Sequence, residues 1–100
     1  FVHPRHICHI LFPGRFEHTT EPHQDFHPVG GTQNTWTVWI PLGDCDSDLG
    51  GVAVACGSNR RGYLDNARVI SGELLDNETV WHWNPFSSGD ILIFNSLTMH

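Results

Sequence analysis

Apolar residues almost nowhere repeat at the 3.6-residue helical period along this chain. Gly, Pro, Asn and Asp instead cut it into short β-branched and aromatic runs. This punctuation limits the fold more than any other feature, because short runs between turns build sheets and not helical bundles. Residues 5–12 (RHICHILF) read as a first strand stopped by Pro13-Gly14, and residues 18–26 (HTTEPHQDF) as an extended segment with Pro22 at an edge or bulge. Residues 27–34 read as a loop. Residues 35–42 (TWTVWIPL) form the strongest strand, and 43–51 (GDCDSDLGG) a loop. Residues 52–56 (VAVAC) read as a short buried strand and 57–77 as a loop-rich insert with one helical turn near 64–67. Residues 79–84 (TVWHWN) alternate as a strand, 85–90 turn, and 91–94 (ILIF) open the last strand. Short strands at near-regular spacing make an all-β sandwich or jelly roll.

One hundred residues make a single domain, residues 1–100. Phe1 leads straight into strand-like sequence and His100 ends an apolar run, so the chain reads as an excerpt of a longer one. Eleven acids face five arginines and no lysine, for a net charge of −6. Such a balance, with no basic run, argues against a nucleic-acid partner. No apolar run reaches the roughly 18 residues of a membrane span. Three cysteines, Cys8, Cys45 and Cys56, fit reduced thiols and a cytoplasmic location better than a disulfide framework. Cys8 and Cys56 are expected to be buried as small apolar residues.

Histidine is the compositional outlier, with eight copies against one tyrosine and one methionine, and it directs attention to a metal site. In the triplet His23-Gln24-Asp25, residues i and i+2 of an extended segment share a face, so His23 and Asp25 can hold one ion while Gln24 points away. A histidine from a distant strand, His100, completes two histidines and a carboxylate on one side of an octahedron. Open positions then remain for a cosubstrate and O2, the pattern of non-haem Fe(II) oxygenases.

Four stretches resemble the phytanoyl-CoA dioxygenase family of Fe(II)- and 2-oxoglutarate-dependent oxygenases. They are HQDFH at 23–27, TWTVWIPL at 35–42, LGGVAVACGSN at 49–59 and SGDILIFNSLTMH at 88–100. The resemblance implies a double-stranded β-helix (a cupin-like jelly roll) with His23, Asp25 and His100 as catalytic iron ligands. It implies Trp39 as an aromatic residue beside the cosubstrate, and Fe(II), 2-oxoglutarate and O2 as the reacting partners of a small-molecule substrate. The expected reaction hydroxylates a C–H bond of a small organic or acyl-type substrate and releases succinate and CO2. Asp25 fills the position that a small residue would leave for halide in related halogenases. The family's arginine for the far carboxylate of 2-oxoglutarate follows the last ligand histidine, so it is expected beyond His100. Arg5, on the first strand, is the alternative within the chain.

The remaining conspicuous residues have plainer readings. His27 competes with His100 as third ligand if the strand continues past Asp25, although Pro28 argues for a turn. His3, His6, His9 and His18 are expected in solvent. Trp36 and Trp39 point to opposite faces, and Trp81 and Trp83 to the same one. Asp44, Asp46 and Asp48 lack the spacing of a calcium loop and read as a solvated turn. Two other functions fit the same residues: a cupin-like metal enzyme that does not use 2-oxoglutarate, and a non-catalytic jelly-roll binding module.

Overall fold

Strands need partners, and the register of the sheets decides which of the expected ones form. The computed structural model describes residues 2–65 and 79–100. Strand β1 (Trp36–Trp39) lies at the centre of the predicted 35–42 strand and pairs antiparallel with β4 (Leu92–Asn95). Trp36 faces Asn95, Thr37 faces Phe94, Val38 faces Ile93 and Trp39 faces Leu92. Between them come β2 (Val54–Ala55) and β3 (Trp81–His82), also antiparallel, with Val54 opposite His82 and Ala55 opposite Trp81. A single bridge joins Cys45 to Phe86, which exchange both backbone hydrogen bonds at 2.7 and 2.9 Å. The described residues are thus sheet-rich, with two small antiparallel sheets and little helix, which agrees with a β fold. No closed barrel forms among them.

The two faces of the β1–β4 sheet differ. Thr37, Trp39, Leu92 and Phe94 turn inward, and Trp36, Val38 and Ile93 turn out. The expected opposition of Trp36 and Trp39 is therefore observed. Ala55, Leu64 and Met99 form a buried apolar cluster, with Cys45, Phe94 and Leu97 also buried.

After β4 the chain turns sharply. The Asn95 side chain fixes that turn: its Oδ1 accepts from the Leu97 N–H at 2.9 Å, and its Nδ2 donates to the Gln33 carbonyl at 3.0 Å. Residues 99–100 then run between two neighbours. Met99 bonds to one side, its carbonyl accepting from Ala55 N–H at 2.9 Å and its N–H donating to Ser58 Oγ at 2.8 Å. His100 bonds to the other side, exchanging both backbone hydrogen bonds with His23 at 3.0 Å. Alternate residues bonding in opposite directions is the behaviour of a central strand.

Several expectations need correction. Residues 5–12 form no strand; residues 2–10 are exposed throughout and meet no ladder partner among the described residues, so their β-branched pattern finds nothing there to pair with. The extended segment 18–26 is interrupted at both ends, by a 3₁₀ turn at Phe16–His18 and by a helical turn, α1 (Phe26–Val29), in what was expected to be loop. Pro28 is no obstacle there, because the first turn of a helix has no internal partner for its N–H groups. The expected loop-rich insert opens with a 3₁₀ turn at Ser58–Arg61. The helical turn near 64–67, and most of the insert, lie outside the described residues. Cys8 and Cys56 are exposed and only Cys45 is buried. Cys56 follows fully buried Ala55, and successive side chains of an extended segment point in opposite directions. No helix among the described residues is long and apolar enough to cross a membrane.

Candidate metal centre

His23 and His100 are opposite members of a hydrogen-bonded antiparallel pair, so their side chains leave the backbone on the same side. The rings pack 4.4 Å apart, centroid to centroid. Asp25, two residues beyond His23, brings its carboxylate against both: Oδ1 lies 3.6 Å from His23 Nε2, and Oδ2 lies 3.7 Å from His100 Nε2. One ligating atom from each residue falls within 4.8 Å of the others. Among the described residues this is the one group of three or more His, Cys, Asp or Glu side chains so placed. Adjacent ligands about 2.1 Å from an octahedral ion stand about 3 Å apart. Small side-chain rotations close the difference.

The hydrogen bonds on the far side of each ring decide which nitrogen faces the site. His23 Nδ1 lies 2.9 Å from the Glu21 carbonyl, and His100 Nδ1 lies 3.0 Å from the Thr98 carbonyl. A carbonyl oxygen can only accept, so each Nδ1 carries the proton and donates it there. In the neutral ring Nε2 is then left with a free lone pair, directed toward the other two residues of the group. That is the tautomer a metal-binding histidine needs.

Asp25 is oriented as well. Thr37 Oγ1 donates to its Oδ2 at 2.7 Å, from the inward face of β1. The Asp25 and His100 side chains are only 15% and 10% exposed, so their charges are poorly hydrated. Burial pushes the Asp25 carboxyl up, but His23, the Thr37 hydroxyl and the charges of both histidines outweigh it and hold it below its usual range. His23 is raised, chiefly by Asp25. His100 is lowered, chiefly by burial. An anionic carboxylate beside a histidine pushed toward neutrality suits a divalent cation.

Trp39 sits on the same inward face as Thr37, half-buried, with its ring 4.8 Å from that of Phe86. Phe94 packs 4.6 Å from the His100 ring and dries that side of the site. His27 is not in the group: its Nδ1 lies 2.8 Å from the Tyr63 hydroxyl, on which its ring stacks. The helical turn of α1 carries it away from Asp25. Arg5 is exposed and its guanidinium bonds the Pro28 carbonyl. His3, His6, His9 and His18 are exposed. Asp46 Oδ1 caps the N–H groups of Asp48 and Leu49, and Asp44 Oδ1 caps that of Ser88, so these acids organise an exposed turn. Two residues at the centre escaped the sequence reading. Thr37 looks like any β-branched strand residue. Gln24 points away from the metal-facing side, as expected, and is wholly buried there.

A model of the phytanoyl-CoA dioxygenase family matches residues 2–100. The chain belongs to the phytanoyl-CoA dioxygenase family. It is similar to a 1-deoxypentalenic acid 11-beta-hydroxylase of Streptomyces exfoliatus, with 31% identity over 93 residues, covering 81% of this chain and 33% of the relative. It is also similar to the 1-deoxypentalenic acid 11-beta-hydroxylase of Streptomyces arenae, with 30% identity over 95 residues and the same shares covered. The chain therefore spans about a third of the length of these curated members. No solved structure matches the chain significantly.

Proposed function

We propose that this chain carries the metal-binding core of an Fe(II)- and 2-oxoglutarate-dependent oxygenase that hydroxylates a C–H bond of a small organic or acyl-type substrate. The observation that carries this reading is the shared tautomer of His23 and His100, both presenting Nε2 to the same carboxylate. Membership of the family, and relatives named as hydroxylases of a small carboxylic acid, support it. In this reading the parent fold is a double-stranded β-helix, and the antiparallel pairs described here are parts of it.

Each of the chain's residues has a defined task. His23, Asp25 and His100 would hold the iron, each offering one ligating atom. When bound, iron supplies the oxidative chemistry, consuming O2 and 2-oxoglutarate and releasing succinate and CO2 as the substrate gains a hydroxyl group. Thr37 fixes the Asp25 carboxylate, and the two backbone carbonyls hold the protons of the histidines away from the ligand atoms. Phe94 and Trp39 line the inner face with apolar surface that excludes water, Trp39 on the cosubstrate side. The arginine for the far carboxylate of the cosubstrate is proposed to follow His100 in the parent protein; Arg5 bonds the Pro28 carbonyl. The partner is a small molecule and not a nucleic acid or a membrane, and the location is cytoplasmic.

The test uses the complete protein, loaded anaerobically with Fe(II) and given 2-oxoglutarate and then O2. Succinate should form only with 2-oxoglutarate present, and Asp25→Ala should abolish it. Equal succinate from the wild-type protein and Asp25→Ala would remove the assignment.

A further inference from the structure

The residue between the two neighbouring ligands is the least accessible long polar side chain in the described structure. Gln24 is 0% exposed, and its amide reaches two other segments. Nε2 donates to the Leu97 carbonyl at 2.6 Å and to the Gly62 carbonyl at 3.0 Å. Oε1 accepts from the Leu64 N–H at 2.8 Å. The amide orientation is fixed by these partners: a flipped group would set its NH2 against an N–H and its oxygen against two carbonyls. Three of its four hydrogen-bonding positions are used, all by backbone, from residues remote in sequence.

We propose that Gln24 is a positioning residue of the metal centre, which locks the His23–Asp25 segment to the strand carrying His100 and to residues 62–64. The inference rests on the reading of His23, Asp25 and His100 as metal ligands and adds what keeps them in register. Leu97 stands at the turn that delivers His100. Holding its carbonyl therefore fixes where that turn lies relative to His23 and Asp25. The backbone pair between His23 and His100 ties the same two segments on the metal-facing side. Gln24 ties them on the opposite side, because its side chain points away from its neighbours'. Two ties on opposite faces resist twisting as well as sliding.

An apolar residue would fill the same space beside Leu64 and Leu97. It would also leave the buried Leu64 N–H and Leu97 carbonyl, and the half-buried Gly62 carbonyl, without this partner. The same amide extends the hold to residues 62–64. There Tyr63 packs its ring edge-on against Phe26 and bonds His27, so the segment after Asp25 is gripped as well. A change in residues 62–64 is thereby transmitted to the ligands through one side chain.

The experiment uses the complete protein and Co(II), whose visible d–d spectrum reports ligand geometry. Three proteins are titrated: wild type, Asp25→Ala and Gln24→Met. Wild type should bind one equivalent, and Asp25→Ala none. Gln24→Met, with native circular dichroism, should bind about ten- to a hundredfold more weakly and show altered d–d bands. If Asp25→Ala abolishes binding while Gln24→Met matches wild type in affinity and spectrum, the positioning role is overturned and the metal assignment stands. If Asp25→Ala binds like wild type, the metal assignment itself fails. Should Gln24→Met not fold, hydrogen exchange of the Leu64 amide in wild type decides. Binding of Zn(II) should slow it at least about tenfold, and an unchanged rate would overturn the proposal.

Discussion

Thr37 makes one hydrogen bond to Asp25, and it bears on the proposed metal as well as on the fold. Thr37→Val keeps the shape and removes the donor. The variant should lose about 1.5–3 kcal/mol of stability, because the acceptor is charged, read from the denaturation midpoint, and about ten- to a hundredfold in metal affinity, read by titration. The histidines give a second prediction at this scale. Asp25 holds His23 above its ordinary value of 6.5, and burial holds His100 below that value. In the metal-free chain, the stability contributed by protonated His23 is complete below pH 6.5 and is lost as the pH rises through its raised folded value. His100 acts with the opposite sign: its depressed value means the folded state loses stability as the pH falls below 6.5. Proton NMR should therefore show the two rings titrating apart, with His23 the higher, and Asp25→Ala should lower His23. Coincident titration curves would contradict this. The pairing of His23 with Asp25 was legible in the sequence because i, i+2 spacing on an extended segment is a local property, whereas His100 joins them only from a distant strand. Thr37 and Gln24 were not, because their partners lie in other segments and, for Gln24, are backbone atoms that any sequence would carry.

At the scale of elements, β1 and β4 were legible because β1 is wholly β-branched or aromatic, β4 lies on the apolar run Ile91–Phe94, and each finds the other. Residues 5–12 carry a comparable pattern but meet no strand partner among the described residues, and a strand pattern alone does not make a strand. The helical turn at Phe26–Val29 was hidden because Pro28 reads as a stop unless it falls in the first turn of a helix. The central lane of residues 99–100 depends on a side chain where a neighbouring strand would supply backbone: Ser58 Oγ accepts from the Met99 N–H. Ser58→Ala should leave that buried donor unpaired and cost about 1–3 kcal/mol. The check is a lower urea midpoint with an unchanged slope. A midpoint equal to wild type would show that this contact does not hold the lane that carries His100.

At the scale of the whole molecule, the outward face of the β1–β4 sheet is apolar. Trp36, Val38, Ile40, Ile91 and Ile93 are each more than half exposed. The β1–β4 register sets Val38 against Ile93, and continued it sets Ile40 against Ile91. A solvated antiparallel sheet alternates polar residues outward, and a contiguous apolar patch drives association. A chain spanning residues 1–100, expressed alone, should bind an apolar dye and self-associate. Covering one Val or Ile side chain is worth about 1.5–3 kcal/mol. Val38→Lys with Ile93→Lys should therefore weaken self-association by roughly two orders of magnitude or more, measured by sedimentation. Equal association of the double variant would place the contact elsewhere. The β class was legible from punctuation alone, because turn residues act locally. The inward–outward assignment of this sheet was legible only as alternation, since period 2 says which residues share a face and not which face is covered.

The claim on which the functional reading turns is that His23, Asp25 and His100, and not His27, hold one iron. Anaerobic equilibrium dialysis of the complete protein against Fe(II) tests it directly. Wild type and His27→Ala should each retain one equivalent, and His23→Ala, Asp25→Ala and His100→Ala should retain none. Full retention by Asp25→Ala or His100→Ala, or loss of iron from His27→Ala, would contradict the account.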